Sequence, residues 1–282
     1  MNRRRVAIIG CGYVGSRLGA ALVSAGHDVI GTTTSEARFG ELRELGIQPR
    51  VASTTDAGTL ADALKDRDVV YLTVAAGREH QNYRDVYLAG VANVLAVCDP
   101  AVTGRIIYTS STSVYGQQDG EWVDEVSPTA PTSENGNILV EAERTLLEGA
   151  SAKGIAATLV RLAGIYGPGR GPANRIPQRA GATRDDGDVF VNLIHVDDIV
   201  AVLHCLIDVE HHGVLNLADD EPIRRRELYD RIIGRMGLQP ISWQTGGESP
   251  KQGKRVSNRL VKEVLGLALK HPSALNSPEY AV

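Results

Sequence analysis

The feature that most constrains the fold is Gly10-Cys-Gly12-Tyr-Val-Gly15. It follows the apolar run Arg5-Val-Ala-Ile-Ile9 directly and leads into the periodic segment Val14 to Ala25. A strand that enters such a turn and leaves as a helix is built for an anion. The first glycine allows the tight turn, the second lets the backbone approach a pyrophosphate, and the third lets helix and strand pack closely. The helix start then offers free N–H groups and a positive dipole end. The expected ligand is a dinucleotide held by Gly10, Gly12, Tyr13, Val14 and Gly15.

The rest of the chain repeats this strand–helix alternation. A helix over Val14 to Ala25 is closed by Gly26. A strand at Asp28 to Thr33, a helix at Glu36 to Leu45 ended by Gly46, and a weak strand at Gln48 to Ala52 follow. Next come a helix at Ala57 to Leu64, a strand at Asp68 to Val74, a long helix at Tyr83 to Cys98 and a strand at Arg105 to Thr109. A helix at Leu139 to Gly149 and a strand at Ala156 to Arg161 complete the series. Asp68 to Val74 barely alternates, which suits a strand buried on both faces of a parallel sheet. The pattern predicts an α/β protein, a Rossmann-type doubly wound parallel sheet with right-handed crossovers.

Beyond Gly164 the rhythm breaks. Residues Gly164 to Gly187 hold six glycines and three prolines and read as loop. A short strand (Val189 to Asn192), a helix (Val196 to Ile207), a strand (Val214 to Leu217) and helices at Arg224 to Met236 and Asn258 to Leu265 follow. The expected organisation is a dinucleotide-binding core over 1–168. Residues 169–282 form a mixed segment that completes the core at about 189–217 and adds a small C-terminal substrate lobe.

Composition narrows the partners. A net charge of −4 gives no reason to expect nucleic acid or an anionic membrane. No apolar run reaches the ~20 residues that span a bilayer. Cys11, Cys98 and Cys205 are far apart, form no CxxC pair and read as reduced thiols, so no metal site is expected. The expectation is a cytoplasmic protein with a small-molecule substrate.

The second strand indicates which dinucleotide. An NAD site usually has an Asp or Glu at that strand's end to bind the adenosine ribose. Here Thr32-Thr33-Thr34-Ser35 stands there, with Arg38 one helical turn on. Thr33, Thr34, Ser35 and Arg38 offer hydroxyls and a guanidinium to a 2′-phosphate. NADP is therefore expected over NAD, although Glu36 is close enough to swing toward the ribose.

Several ordered motifs resemble the extended short-chain dehydrogenases/reductases, the NAD-dependent epimerase/dehydratase family. Asp68-Val-Val-Tyr-Leu-Thr-Val-Ala75-Ala76 is similar to the family's fourth strand, which ends in small residues beneath the adenosine. Ser110-Ser111-Thr-Ser-Val-Tyr115-Gly116 resembles its serine strand, with Ser111 at the catalytic hydroxyl position. Val160-Arg161-Leu-Ala-Gly-Ile-Tyr-Gly-Pro-Gly169, Asn192-Leu-Ile-His195-Val-Asp197-Asp198 and Val214-Leu-Asn216-Leu-Ala resemble later segments. The resemblance covers most of the chain. It implies a nicotinamide cofactor and a homodimer formed through the helix at Tyr83 to Cys98.

The chain departs from that pattern where chemistry is done. The glycine spacing is GxGxxG instead of GxxGxxG, and Tyr87 stands where the family has an Asn. The family's Tyr and Lys align with Asn135 and Leu139, which places the chain with the atypical members. A free phenol has a pKa near ~10 and needs a nearby cation to work at neutrality. Asn135 exchanges no proton usefully and Leu139 carries no charge. Losing a general acid/base costs roughly 10²–10⁴ in rate.

Substitutes are few. Tyr115 is a candidate proton donor, although its family counterpart is mainly structural. Tyr83 and Tyr87 share one helical face and read first as packing. His80 lies near where a substrate would enter, and Arg170 flanks the glycine-rich loop, where it can meet an anionic substrate. Asp197 and Asp198 read as a helix N-cap pair.

Two functions follow. One is an NADP-dependent oxidoreductase or epimerase/dehydratase-like enzyme with non-standard acid/base residues. It would act on a small carbonyl or sugar-nucleotide-like substrate, with Ser111 bonding the substrate oxygen. The other is a non-catalytic NADP(H)-binding sensor.

Overall fold

The computed structural model describes residues 2–76, 83–171, 175–244 and 251–276. The strands in chain order are β1 (Arg5–Ile9), β2 (Asp28–Thr33), β3 (Gln48–Val51), β4 (Val69–Leu72), β5 (Arg105–Ser111), β6 (Asp119–Val123), β7 (Ala156–Leu162) and β8 (Gly164–Tyr166). Then come β9 (Thr183–Arg184), β10 (Phe190–Val191), β11 (Leu193–His195), β12 (Gly213–Leu217), β13 (Ile223–Arg224), β14 (Ser242–Trp243) and β15 (Gly253–Val256). The helices are α1 (Gly15–Ser24), α2 (Phe39–Glu44), α3 (Ala57–Leu64), α4 (Gly90–Val97), α5 (Glu134–Lys153), α6 (Val196–Cys205), α7 (Arg225–Arg235) and α8 (Arg259–Leu265).

The central sheet has seven strands in the order β12-β7-β5-β4-β1-β2-β3. The β1–β2, β1–β4, β2–β3 and β4–β5 ladders are all parallel. This is the Rossmann-type doubly wound α/β fold that the strand–helix alternation predicts. The strand order reverses between β1 and β4. In such sheets the crevice outside the carboxyl ends at the reversal is where ligands bind.

The chain divides into two compact units. The first comprises Met1–Val114, Thr132–Arg161 and Val200–Leu215; the second comprises Tyr115–Pro131, Leu162–Ile199 and Asn216–Val282. In the first unit, Ala7, Ile9, Val70, Leu72, Ile106 and Tyr108 form a buried aliphatic face with Leu60, Val94, Leu146 and Leu159. Few aromatics take part, as the low Phe and Trp content requires.

Local signals explain most of these elements. Asp56 caps α3 by accepting from Gly58 N and Thr59 N. Gly26, Gly46 and Gly154 take positive φ just past helix ends.

Several expectations change. The helix expected from Glu36 starts as a 3₁₀ turn, Glu36–Arg38, before α2. The strand expected over Asp68 to Val74 is shorter, Val69–Leu72, although Thr73 N still donates to Ile9 O at 2.9 Å. The long helix from Tyr83 contains a π-helical turn over Asp85–Ala89 before α4 begins. α5 starts five residues early, at Glu134, because Ser133 Oγ accepts from Gly136 N as its cap. Finally, the stretch expected to be loop from Gly164 to Gly187 contains β8 and β9.

The second unit is a set of two-stranded pairings: β15 with β6, β11 with β8 and β14 with β9, all parallel, and β10 with β13 antiparallel. Its buried cluster includes Tyr166, Ile176, Leu228, Ile232 and Ile241. Asp197 and Asp198 lie inside the first turn of α6 and do not cap it. Instead Asp198 Oδ1 and Oδ2 accept from Lys270 N and His271 N, at 2.7 and 3.0 Å. No helix among the described residues is long and apolar enough to cross a membrane.

Candidate functional site

The turn between β1 and α1 is stitched to its neighbours through backbone atoms. Gly10 N donates to Thr32 Oγ1 at 3.0 Å, and Cys11 N donates to Thr32 O at 2.8 Å. Thr73 Oγ1 donates to Gly10 O at 2.8 Å. Two buried threonines, from β2 and from the end of β4, thus fix the turn at the point where strand order reverses. The sequence singled out Thr32 only as part of a hydroxyl run. A threonine directly after a fully apolar strand was the available signal for Thr73.

The glycines have different duties. Gly10 has φ +97°, and a Cβ there would sit 2.9 Å from Val74 Cα. A Cβ on Gly15 would overlap Gly10 O and lie 2.6 Å from Thr73 Oγ1. Gly12 is exposed, and a Cβ there would meet nothing within 4 Å. Helix α1 opens after Val14 with no side-chain cap. An uncapped helix start beneath an open glycine is the arrangement a pyrophosphate needs, so these residues fit a dinucleotide.

Around the turn, Tyr13 is half-buried under Arg17, whose guanidinium lies 4.1 Å from the ring centroid. Cys11 is buried, and burial pushes its thiol up to about 12, so it is inert. Thr33 is half-buried, and Thr34 and Ser35 are exposed beyond β2. Arg38 is already engaged. It pairs with both oxygens of Glu41, at 2.6 and 3.0 Å, and also donates to Cys11 O. That side-chain bond holds the Arg38 guanidinium above its ordinary range and the Glu41 carboxyl below it. Glu41 is a group the sequence reading missed.

At the other side of the crevice, Ala75 is exposed and Ala76 half-buried. Ala76 N donates to Tyr87 Oη at 3.2 Å. Ser111 ends β5, half-buried, and its Oγ accepts from Ser113 N at 3.1 Å. Beside it, Ser110 Oγ donates to Glu143 Oε1 at 2.6 Å. Glu143 is also gripped by Arg161, through Nε at 3.1 Å and an outer nitrogen at 2.7 Å. All three are buried. Asn135 is half-buried on the first turn of α5, whereas Leu139 is 1% exposed and belongs to the core.

His80 is outside the described residues. Arg170 is exposed, and its backbone pairs with Gly167. Tyr115 is in the second unit, with its hydroxyl against Asp124 O at 2.8 Å and Asn216 Oδ1 at 2.9 Å. Both contacts suit an anchor for the chain after β5.

One group of potential metal ligands occurs among the described residues: His195, Asp198 and His271. Their ligand atoms lie within 4.8 Å of one another. The two imidazoles stack at 3.7 Å with 29° between planes. His195 Nδ1 accepts from Asp197 N, and Asp198 is bonded to backbone N–H groups.

The fold, the strand-order reversal and the open glycine turn define a nucleotide-binding α/β protein of Rossmann type. More narrowly, the chain belongs to the NAD dependent epimerase/dehydratase family, whose profile matches residues 6–218. It is 30% identical over 283 residues to Protein YeeZ of Escherichia coli (strain K12), covering 98% of this chain and 99% of that one. It is 25% identical to a 2-alkyl-3-oxoalkanoate reductase of Stenotrophomonas maltophilia, over 82% of this chain and 75% of that protein. In fold it is similar to a short-chain dehydrogenase/reductase superfamily protein from Agrobacterium tumefaciens solved with bound NAD. The TM-score is 0.82 at 20% identity, covering 98% of this chain and 96% of that one.

Proposed function

We propose that the chain binds a nicotinamide dinucleotide, with NADP(H) preferred, and acts as an oxidoreductase on a small carbonyl compound. The observation that carries this reading is the open Gly12 above the uncapped start of α1, framed by Gly10 and Gly15. Backbone groups of Gly10 to Gly15 would hold the pyrophosphate. Thr33, Thr34, Ser35 and Arg38 would meet the adenosine ribose end, and Ala75 and Ala76 would flank the ligand beyond β4. When bound, the dinucleotide supplies or accepts the hydride. Ser111 Oγ would hydrogen-bond the substrate oxygen. The reductase named among the relatives supports a carbonyl substrate. Tyr115 is assigned a structural role, since its hydroxyl already faces Asp124 and Asn216.

Fluorescence titration with NADPH and NADH, followed by a dinucleotide-oxidation screen over aldehydes, ketones and 3-oxo acids, tests the proposal. NADPH should bind tighter, and Ser111→Ala should lose turnover while keeping dinucleotide affinity. Turnover indifferent to Ser111→Ala would sink this assignment of the site.

One observation favours a second reading. Leu139 is in the core and Asn135 carries no acid, so α5 offers no ionisable pair at the place the family uses. A sensor that binds the dinucleotide without turnover fits that fact. Tight NADPH binding with no oxidation of it by any compound in the screen would establish the sensor instead.

A further inference from the structure

The proposed reaction needs a proton source, and α5 supplies none. Within the same unit, hydroxyls gather at the carboxyl end of β4. Tyr87 sits on the π-helical turn Asp85–Ala89 and reaches back to Ala76 N, at 3.2 Å. π-turns inside helices are often found at functional sites. Tyr83, half-buried, lies against it with ring centroids 4.5 Å apart. Burial pushes both phenols up, Tyr83 to about 12, and the two hydroxyls hydrogen-bond each other. Tyr87 Oη accepts from Ala76 N–H, a bond that leaves its own proton unused, and Tyr83 stands beside it as a second hydroxyl partner.

We propose that Tyr87 is the proton donor to the substrate oxygen, with Tyr83 as the residue that positions and activates it. This rests on the oxidoreductase reading above and runs it in the direction of carbonyl reduction. With a reduced nicotinamide dinucleotide held at the glycine turn, hydride would reach the carbonyl carbon from that cofactor. The electron pair of the C=O π bond then takes the Tyr87 proton, the product is an alcohol, and Tyr87 is left as phenolate. Ala76 N–H and Tyr83 O–H hold that negative charge, as two donors hold an oxyanion. A proton from hydronium or a buffer acid in the solvent then resets Tyr87, so one solvent proton is consumed per turnover.

The surroundings favour giving a proton over taking one. Burial raises the Tyr87 phenol, and the bonds from Ala76 and Tyr83 oppose it. Tyr108 on β5 is fully buried nearby, its hydroxyl has no hydrogen-bond partner among the described residues, and burial holds it well above the usual phenol range. Tyr87 thus stays protonated at neutral pH and meets an alkoxide, a stronger base, only as hydride arrives.

The test combines rates with a readout that needs no turnover. Tyr87→Phe should lose about 10²–10⁴ in turnover while binding NADPH within about threefold of wild type. Tyr83→Phe should lose about tenfold. In protein labelled with 3-fluorotyrosine, the ¹⁹F resonance assigned by its absence in Tyr87→Phe should move on saturation with NADPH. A stationary Tyr87 resonance overturns the proposal whatever the rates. Full turnover in Tyr87→Phe beside impaired turnover in Ser111→Ala overturns it and leaves the oxidoreductase reading intact. Absence of turnover in the wild type with NADPH bound removes both.

Discussion

Gly15 lies so close to Gly10 that a Cβ on Gly15 would overlap the Gly10 carbonyl oxygen. Gly12, midway between them, has nothing within 4 Å of its absent Cβ. One motif thus contains two kinds of glycine, and substitution should separate them. Gly15→Ala should destabilise the fold by about 1–3 kcal/mol, the usual cost of forcing an extra methyl group into a packed site. Gly12→Ala should leave stability within about 0.5 kcal/mol yet weaken NADPH binding by at least about tenfold. Urea denaturation and fluorescence titration of the two variants check this. Equal damage to stability in both would contradict the geometry.

Arg38 and Glu41 set a second expectation. If Arg38 meets a 2′-phosphate, Glu41 competes for it, since both its oxygens already hold the guanidinium. Glu41→Gln should raise the preference for NADPH over NADH. Arg38→Ala should lower NADPH affinity about tenfold with little change for NADH. Both effects should shrink as salt rises, because the pair is partly exposed. Titrations at two ionic strengths measure this. An NADH affinity that falls in step with NADPH would remove Arg38 from the selectivity site.

These expectations start from residues visible in the sequence, because the first half of the chain is governed by local rules. β1, β2 and α3 fall on the predicted bounds; Gly10 closes β1 and Asp56 caps α3. What escaped has non-local causes. β6 is Asp-Gly-Glu-Trp-Val, with no apolar alternation, and becomes a strand only by pairing with β15, where Gly253 meets Asp119. β8 hides in a glycine- and proline-rich stretch and is defined by its ladder to Leu193–His195. The π-turn under Tyr87 has no sequence signature, so a side chain that read as packing turns out to reach Ala76 N. Asp198 looked like a cap because it begins a helix, yet its carboxylate is claimed by Lys270 and His271, more than seventy residues on.

Glu143 and Arg161 form a buried ion pair beneath the end of β5, with Ser110 as third partner. Removing one charge leaves the other buried and uncompensated, which costs about 3–5 kcal/mol. Arg161→Met should therefore lose stability on that scale. The double change Glu143→Gln and Arg161→Met should recover much of it, because no charge is then stranded. Chemical denaturation of the two variants reads the difference. Additive losses in the double variant would mean that the pair is not coupled.

Asp219 predicts how stability depends on pH. It is 2% exposed, and burial raises its carboxyl to about 7, against the pull of the Tyr166 hydroxyl at 3.2 Å. A carboxyl with a folded pKa above its unfolded value binds its proton more tightly in the folded state. Its contribution is therefore full below about pH 3.8 and is lost as pH rises through about 7. At about 1.4 kcal/mol per unit, the loss approaches an order of 4 kcal/mol once the group is ionised. Asp219→Asn keeps the shape and cannot ionise. Its stability relative to wild type should rise between pH 5 and about pH 8 and then level off. Denaturation midpoints for the two proteins across that range give the difference directly. A difference that stays flat from pH 5 to pH 8 would mean that Asp219 is ionised throughout.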